Sequence, residues 1–371
     1  MNVTQTVDAL PPLEHPLEEG WTLPAGWYTE PHVLALERER IFARAWIYLG
    51  PAERVREPGS FLAGQVGHVP VVATRDREGV LRGLVNVCRH RNHLVADGHG
   101  CRATLQCPYH AWTYDLDGTL IKAPRSEREA GFDPDAFSLL PAAVETWGPW
   151  VFANPDPGAA PLAETLDGVR ELVESSGVGV DTLVFRQRVE WELPVNWKNG
   201  LENYLECYHC AVAHPGLSKV VNVDPDDYAL VERSLSTSQL GELRAGVRDG
   251  TVAAPFTAVG EVGAAQYHHL WPATTINIEP GRPNVGVDTW RPVDPSRTVG
   301  VSDYYFGPDV GETEIAELVA FSQQVGAEDN ALVASVQAGL ASGVVPQGRL
   351  LLSSERLIGY FQRHVYDALA G

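Results

Sequence analysis

The sequence has little positive charge. Its 371 residues include 28 lysines and arginines against 48 acidic residues, which gives a formal net charge of -20. Three of the basic residues are lysines, at positions 122, 198 and 219. A surface this acidic repels phosphate backbones and anionic lipid headgroups. The composition therefore argues against nucleic acid or a membrane surface as a partner.

Long hydrophobic runs and a secretory leader are also missing. No stretch approaches the roughly 18 uninterrupted apolar residues that a membrane helix needs. Residues 1–20 contain neither the basic segment nor the apolar core of a signal peptide. We therefore expect a cytoplasmic protein.

Cysteine is scarce, with five residues at positions 88, 101, 107, 207 and 210. In a reducing compartment, an odd number of cysteines in a long chain indicates metal ligation or buried thiols rather than a disulfide framework.

The apolar fraction of 44% is high enough to form a substantial core, so a disordered chain is excluded.

Apolar runs and turn residues predict two domains. From about residue 50 to 153, short apolar runs are broken by glycines and turn pairs, which is typical of an all-β unit. Beyond a proline-rich linker, strands and helical patterns mix without regular alternation, which predicts a predominantly antiparallel sheet. We expect an N-terminal segment 1–45 that packs on the larger domain, a β domain 46–153 and an α+β domain 154–371. The helical patterns lie at about 31–46, 161–176, 197–213 and 311–340.

The β domain carries two short pairs of metal-ligand residues, Cys88-x-His90 and Cys107-x2-His110. Two thiolates and two imidazoles from paired loops can hold a [2Fe–2S] cluster, with thiolates on one iron and imidazoles on the other. A tetrahedral zinc site could use the same four residues, although zinc sites usually pair Cys with Cys and His with His. Isolated buried cysteines are a further alternative, but they would leave both histidines without an explanation.

The segments around these residues, NVCRHRNH and CPYHAWTYDLDG, resemble the Rieske domain of Rieske non-haem iron oxygenases. The resemblance implies a Rieske-type [2Fe–2S] cluster on the four residues named above. Asn92 and Ala111 stand where the family pattern has glycine. Asparagine tolerates left-handed backbone angles, whereas alanine is strained there if the position requires a positive φ.

A second group of candidate ligands lies in residues 196–216, NWKNGLENYLECYHCAVAHPG. Helical spacing places Glu206 and His209 side by side on one face. Pro215 disfavours helical angles at His214, so the helix should end just before His214 and allow its ring to turn back toward His209. Two imidazoles across a helix end would form half of a divalent-metal site.

Two alternatives remain for this segment. Cys207-x2-Cys210 and the two histidines could form a structural zinc site, although Cys207 and His209 project from different sides of a helix. The histidines could also be ordinary core and capping residues.

A 2-His-1-carboxylate triad, which suits Fe(II) with open positions for O2, requires one acidic ligand. The predicted helix 311–340 offers the adjacent acids Glu328 and Asp329. At about 100° per residue, Asp329 falls in the middle of an apolar face and Glu328 falls on its flank. That face comprises Val325, Leu332, Val333, Val336 and Leu340. A charge at the centre of a buried stripe is costly unless it is paired or bound to metal, which selects Asp329.

The same segments extend the family resemblance from about residue 20 to the C-terminus. NWKNGLENYLECYHCAVAHP resembles the mononuclear-iron motif of Rieske oxygenase α subunits, and AEDNALVASVQAGL resembles the region of their later aspartate ligand. The resemblance implies Fe(II) on His209, His214 and Asp329. The implied fold is α+β, with an N-terminal all-β Rieske domain and a C-terminal antiparallel sheet with helices, the helix-grip catalytic domain of ring-hydroxylating oxygenases.

The resemblance also implies how electrons move. A separate reductase, with NAD(P)H and flavin, would supply the cluster with electrons for the activation of O2 at Fe(II). In a head-to-tail homotrimer they would cross from His110 of one subunit through Glu206 to His209 of the next. The chain itself has no GxGxxG dinucleotide fingerprint. A solvated helix carboxylate is the alternative interpretation of Glu206.

Glu206 also narrows the class of substrate that the resemblance implies. Ring-hydroxylating dioxygenases commonly have aspartate there, and glutamate resembles the branch that oxidises choline, carnitine, glycine betaine and stachydrine. We therefore expect a small quaternary or tertiary amine to be hydroxylated beside nitrogen and N-demethylated. Of six strand-region aromatics, we expect two or three at most to line the pocket. They are Tyr267, Trp271, Trp290, Tyr304, Tyr305 and Phe306.

Three other functions remain as alternatives. An aromatic-ring-hydroxylating dioxygenase α subunit would carry the same two metal motifs. A pure electron carrier would need only the first motif and about 100 residues, and a ligand-binding module would hold structural zinc in place of iron.

Overall fold

The computed structural model of the protein describes residues 9–371. Residues 1–8, which belong to the predicted N-terminal segment 1–45, lie outside the described part. Within residues 9–371, none of the helices is both long enough and apolar enough to span a bilayer.

Two N-terminal helices, α1 (Gly26–Thr29) and α2 (Pro31–Arg40), pack against later parts of the chain. Helix α2 ends at Arg40, which is earlier than the helical pattern predicted over about 31–46. The Glu37 carboxylate of α2 is fully buried, accepts a hydrogen bond from Nε1 of Trp197 at 2.7 Å and pairs with the buried Lys198. Breaking such a pair would leave one charge uncompensated in the core, so the pair fixes α2 to the residues that lead to the second metal motif.

Ten short strands between residues 47 and 154 form two antiparallel sheets. Their bounds are β1 (Ile47–Pro51), β2 (Ser60–Val66), β3 (Val69–Arg75), β4 (Leu81–Val85), β5 (His99–Cys101), β6 (Leu105–Gln106), β7 (Thr113–Tyr114), β8 (Leu120–Lys122), β9 (Pro141–Trp147) and β10 (Trp150–Asn154). Seven strands pair in the order β1-β10-β9-β4-β3-β2-β5, and β6-β7-β8 form the small second sheet. The first pair of candidate cluster ligands follows β4, and the second pair lies between β6 and β7.

The C-terminal half contains a second seven-stranded antiparallel sheet. Its strands are β11 (Val184–Leu193), β12 (Ala229–Glu232), β13 (Ser236–Glu242), β14 (Ala264–Leu270), β15 (Thr274–Ile278), β16 (Asn284–Asp294) and β17 (Arg297–Phe306), and they pair in the order β11-β17-β16-β15-β14-β13-β12. Side chains alternate between the two faces of a strand. Val287 and Tyr305 accordingly belong to a buried apolar cluster on one face, whereas Asp288 and Tyr304 line a cavity on the other.

Helices cover this sheet and complete the predicted α+β class, which is confirmed. The helices are α3 (Leu162–Leu166), α4 (Val169–Ser175), α5 (Trp197–Tyr204), α6 (Cys210–Ala213), α7 (Leu217–Val220), α8 (Ala245–Arg248), α9 (Glu312–Ala341) and α10 (Arg356–Ala370). The long helix α9 packs on α5 and agrees with the pattern predicted over 311–340.

Two other predicted helices are broken. The pattern over 161–176 is split between α3 and α4, where Gly168 has a φ of 74° that a right-handed helix cannot include. The pattern over 197–213 begins as expected, because the Asn196 side chain caps α5 by accepting a hydrogen bond from the backbone N–H of Lys198 at 3.0 Å. However, α5 ends at Tyr204, and helical structure resumes only at Cys210.

Candidate active site and cluster site

The two loops of the first motif have the same backbone geometry. In each loop the cysteine carbonyl accepts a hydrogen bond at 3.0 Å from the backbone N–H four residues later, donated by Asn92 in one loop and Ala111 in the other. The cysteine N–H donates to the carbonyl five residues later at 2.8 Å in both loops. Asn92 and Ala111 have φ values of 57° and 59°. This left-handed backbone explains why glycine is expected at both positions.

The loops bring the four predicted cluster ligands together in two layers. Cys88 and Cys107 are buried at 1% and 2% exposure, whereas His90 and His110 are exposed. The two imidazole rings lie 4.6 Å apart between centroids, and His90 stacks on Trp112 at 5.0 Å. Two thiols inside and two imidazoles outside fit a [2Fe–2S] cluster whose histidine-ligated iron faces the surface.

The second motif forms a compact group of three possible ligand atoms. Nε2 of His209 lies 3.1 Å from Nε2 of His214, and Oδ1 of Asp329 lies 3.4 Å and 2.9 Å from these two atoms. His214 is buried, while His209 and Asp329 are partly buried. Two imidazoles and one carboxylate directed at a common point fit Fe(II) with open coordination positions.

A glutamate contacts the outer nitrogen of each histidine. Glu206 contacts Nδ1 of His209, and Oε2 of Glu328 lies 2.8 Å from Nδ1 of His214. With Nδ1 hydrogen-bonded to a carboxylate, each ring keeps its Nε2 available for the metal. Sequence analysis selected Asp329 over Glu328, and it missed this contact of Glu328 with His214.

The charges of this group suit a cation. Burial alone would lower the pKa of His209, but hydrogen bonds to Asp329 and Glu206 outweigh burial and raise it to about 9. Burial likewise would raise the pKa of Asp329, and the two histidines hold it at about 2 instead. Without a metal the histidines would therefore bind protons beside an ionised carboxylate, and a divalent cation would take the place of those protons.

The geometry corrects the helical argument for Glu206. Because α5 ends at Tyr204, Glu206 and His209 do not lie on one helix as expected. The Glu206 carboxylate instead accepts hydrogen bonds from the backbone N–H groups of Tyr208 and His209, so a non-helical turn holds it against the His209 ring. Glu206 is partly buried, with its side chain 9% exposed, and is not the solvated carboxylate of the alternative interpretation.

Cys207 and Cys210 also differ from expectation. They form a disulfide with their Cα atoms 4.9 Å apart. The turn that replaces the predicted helix brings them together. The expectation that the five cysteines serve only as ligands or buried thiols is therefore wrong for this pair, and neither cysteine is free to bind zinc.

The predicted apolar face of α9 is also partly wrong. Val333 is buried, but Leu332 and Val336 are 41% and 51% exposed. The turn of α9 next to the two histidines presents Glu328 and Asp329 together, so both acids contact His214.

A cavity of about 380 Å³ opens beside the three ligand atoms. It is lined by Glu206, by the three ligand residues and by eight aromatic side chains, Trp191, Tyr204, Tyr228, Tyr267, Trp290, Tyr304, Phe306 and Phe321. Four of the six aromatics named from the sequence line it, which is more than the two or three expected. Trp271 and Tyr305 do not.

The polar residues of the cavity were missed by sequence analysis. Glu279, Asp288, Gln239, Asn277 and Asn284 all line it from the sheet. The available signal was an acidic residue directly after an apolar strand, as in TINIE, and an aspartate within the strand segment NVGVDTW.

Comparisons with known proteins agree with this arrangement. Residues 45–145 match a family model described as the Rieske [2Fe-2S] domain, and residues 180–371 match one described as the ring hydroxylating alpha subunit (catalytic domain). The carnitine monooxygenase oxygenase subunit of Escherichia coli (strain K12) is 35% identical over 347 residues, which cover 91% of this chain and 89% of that protein.

Two further similarities extend over almost the whole chain. The chloroplastic choline monooxygenase of Spinacia oleracea is 32% identical over 355 residues, which cover 93% of this chain and 78% of that protein. A solved structure of a quaternary ammonium Rieske monooxygenase in complex with an inhibitor superposes with a TM-score of 0.85 and 32% identity, covering 97% of this chain and 99% of that one.

Proposed function

We propose that this chain, which belongs to the ring-hydroxylating α-subunit family of Rieske oxygenases, hydroxylates a small quaternary or tertiary amine with O2. The relatives named as carnitine and choline monooxygenases support an amine substrate over an aromatic ring. The observation that carries the proposal is the cavity lined by eight aromatic side chains beside the iron ligands. A quaternary ammonium group cannot lose its charge by losing a proton, and ring faces stabilise such a cation by about 0.5–2 kcal/mol each.

The residues of the second motif would bind the mononuclear iron. His209, His214 and Asp329 would supply the ligand atoms, and the iron, when bound, supplies the activation of O2. Glu206 and Glu328 would orient the two imidazoles through their Nδ1 atoms. The aromatic residues of the cavity would exclude water and hold the ammonium group, so that a carbon attached to nitrogen lies nearest the metal.

Cys88, His90, Cys107 and His110 would bind the [2Fe–2S] cluster, which supplies single electrons received from a separate reductase that uses NAD(P)H and flavin. The exposure of His90 and His110 supports transfer across the protein surface. We propose a head-to-tail homotrimer in which the electron crosses from His110 of one subunit through Glu206 to His209 of its neighbour. Such a ring is a closed heterologous assembly.

Exposed apolar side chains near both sites support this assembly. Leu94 and Tyr109 are 44% and 50% exposed beside the cluster ligands, and Tyr208 and Val212 are 60% and 89% exposed beside His209. Apolar side chains exposed around functional groups often mark protein interfaces.

N-demethylation follows when the hydroxylated carbon is a methyl group. Insertion of one oxygen atom from O2, with two electrons from the reductase and two protons forming water, gives an N-hydroxymethyl group. Its C–N bond then breaks, so that the amine leaves with the bonding electron pair, the hydroxyl proton is released and formaldehyde forms.

Oxygen uptake and formaldehyde release test the proposal. The holoenzyme and a reductase are supplied with NAD(P)H and, in separate assays, with choline, L-carnitine, glycine betaine and stachydrine. We expect coupled uptake with at least one of them. No response to these compounds, together with a cis-diol or phenol from an aromatic acid, would support the aromatic-ring dioxygenase instead.

A further inference from the structure

Apart from the two histidines that would bind the iron, the charged side chains of the cavity are all acidic. Four carboxylates line it, those of Glu206, Glu279, Asp288 and Asp329, and among the lining residues in the described part of the chain there is no lysine or arginine. Away from the iron, the lining offers an anionic substituent no positive partner, and its carboxylates repel that substituent. The faces of aromatic rings attract cations but not anions.

Glu279 is the least satisfied of these acids. It follows β15, is 8% exposed, and both of its carboxylate oxygens accept hydrogen bonds from the hydroxyl of Tyr267, at 3.0 and 3.1 Å. Tyr267 is the one side-chain donor to this carboxylate within residues 9–371. A carboxylate has about four acceptor positions, so a single hydroxyl leaves most of them empty. Ionising a buried acid with so little compensation is costly unless a ligand brings a positive charge.

Asp288 provides the contrast. Its carboxylate accepts hydrogen bonds from Oγ1 of Thr275 at 3.0 Å and from Nδ2 of Asn277 at 2.6 Å. Neutral donors of the sheet therefore compensate Asp288 already in the absence of a ligand. Glu279 is left as the carboxylate that needs a cationic partner.

Glu279 lines the same cavity as the iron ligands His209, His214 and Asp329. Tyr228 and Glu206, which contacts the His209 ring, line the cavity as well. An ammonium group held between the aromatic rings and Glu279 would therefore lie in the cavity that the iron ligands also line.

Two buried neutral groups among the lining residues have no hydrogen-bond partner within residues 9–371. They are Oε1 of Gln239 and Nε1 of Trp290, while the amide nitrogen of Gln239 donates a hydrogen bond to the Tyr204 carbonyl. Each of them can pair with a neutral polar group of a ligand. They do not replace the hydration of a carboxylate, which requires several donors or a positive charge.

We propose that the substrate is a quaternary ammonium compound without a carboxylate, such as an amino alcohol, and that Glu279 is the counter-ion of its ammonium group. The inference rests on the proposed amine hydroxylation and narrows it. Choline meets this description, whereas L-carnitine, glycine betaine and stachydrine each carry a carboxylate that the cavity repels.

Matched substrate pairs test the inference on the wild-type holoenzyme with a reductase. Choline is compared with glycine betaine, and L-carnitine methyl ester with L-carnitine, by dissociation constant and by KM for oxygen uptake. We expect the carboxylate-free member of each pair to bind at least tenfold more tightly. Equal or tighter binding of the two betaines would overturn the inference while leaving amine hydroxylation in place.

The variant Glu279→Gln tests the assigned residue. It keeps the size of the side chain and removes the charge, so it should weaken choline binding at least tenfold and leave the weak betaine binding nearly unchanged. Glu242→Gln, an exposed acid at the end of β13 outside the cavity, is the matched control and should change neither. An unchanged choline-to-betaine ratio in Glu279→Gln, with the iron and cluster content of the wild type, would show that Glu279 is not the counter-ion. If no ammonium compound binds and an aromatic acid is oxidised, the proposed function itself fails.

Discussion

Glu328 and Asp329, adjacent residues of α9, contact the two different nitrogens of the His214 ring. Oε2 of Glu328 lies 2.8 Å from Nδ1, and Oδ1 of Asp329 lies 2.9 Å from Nε2. Glu206 contacts Nδ1 of His209 in the same way. Each imidazole is therefore held from behind by a glutamate, and both Nε2 atoms face the aspartate. This arrangement separates the residues that would bind the iron from those that orient its ligands.

Because Asp329 and Glu328 have these separate roles, we expect different outcomes when each is replaced by alanine. Asp329→Ala removes a ligand atom, so we expect loss of the mononuclear iron with full retention of the [2Fe–2S] cluster. Glu328→Ala removes only the support of His214, and losing such support typically costs about 10–100-fold in metal affinity. We therefore expect Glu328→Ala to lose iron at low iron concentration and to recover it in excess iron.

Iron and acid-labile sulfide analysis after dialysis against graded Fe(II) distinguishes these outcomes. Glu317→Ala, an exposed acid on the same helix, is the control and should bind iron like the wild type. Equal iron affinity in Glu328→Ala and the control would show that the Glu328 contact does not orient His214. Recovery of iron by Asp329→Ala would exclude Asp329 as a ligand.

Glu206→Gln should retain both metals and the proposed trimer but lose nearly all turnover. Glutamine can still accept the backbone hydrogen bonds of Tyr208 and His209, so the turn should persist. It cannot supply the carboxylate that would bridge His209 and the neighbouring His110. Single-turnover measurements should show slow transfer of the electron from cluster to iron, and coupled turnover at the wild-type rate would remove Glu206 from the electron path.

Ala111→Gly should stabilise the cluster domain. Ala111 has a φ of 59°, a left-handed conformation that costs an L-residue roughly 1–2 kcal/mol. Glycine removes this strain at some cost in unfolded-state entropy, so we expect a net gain of roughly 1 kcal/mol. Thermal unfolding of the holoenzyme measures it. Ala103→Gly, in an exposed loop with negative φ, is the control and should be neutral or destabilising.

The sequence predicted these features with unequal success, for physical reasons. Ala111, where the family pattern has glycine, does adopt a left-handed angle, because the geometry of a ligand loop depends on few residues. The contact between Glu206 and His209 was also expected, but it arises from a turn rather than a helix. The spacing of residues in a sequence does not show where a helix ends when contacts with other parts of the chain determine that end.

The cavity was the least predictable part. Which of Tyr304 and Tyr305 faces the ligand depends on strand register, and alternation alone shows only that they face opposite ways. The position of Glu279 directly after an apolar strand was only a weak signal of burial, because an acid that follows a strand is usually solvent-exposed. The predicted apolar face of α9 was partly wrong for a related reason. Leu332 and Val336 are exposed in the single chain, and an apolar pattern does not distinguish a core face from an interface.

Glu279 should make the stability of the empty enzyme fall with rising pH. Burial raises its pKa from 4.5 to about 8, and the hydrogen bond from Tyr267 offsets only part of this rise. At a pH between these two pKa values, the folded chain holds a proton on Glu279 that the unfolded chain has released. The free energy of unfolding therefore decreases by up to about 1.4 kcal/mol for each unit by which the pH rises. The neighbouring hydroxyls of Tyr267 and Tyr228 do not titrate in this range, because burial raises both pKa values.

Glu279→Gln removes this proton-linked contribution, so its stability should gain on the wild type progressively from pH 5 to pH 8. Chemical denaturation of both proteins at several pH values measures the difference, and other groups that titrate in this range, such as Glu202, contribute equally to both and cancel. The exposed Glu242→Gln should follow the wild-type curve. Parallel curves for Glu279→Gln and the wild type would show that Glu279 is already ionised in the empty cavity. A saturating quaternary ammonium ligand should reduce the pH dependence of the wild type, because pairing with the cation favours the ionised carboxylate and releases its proton.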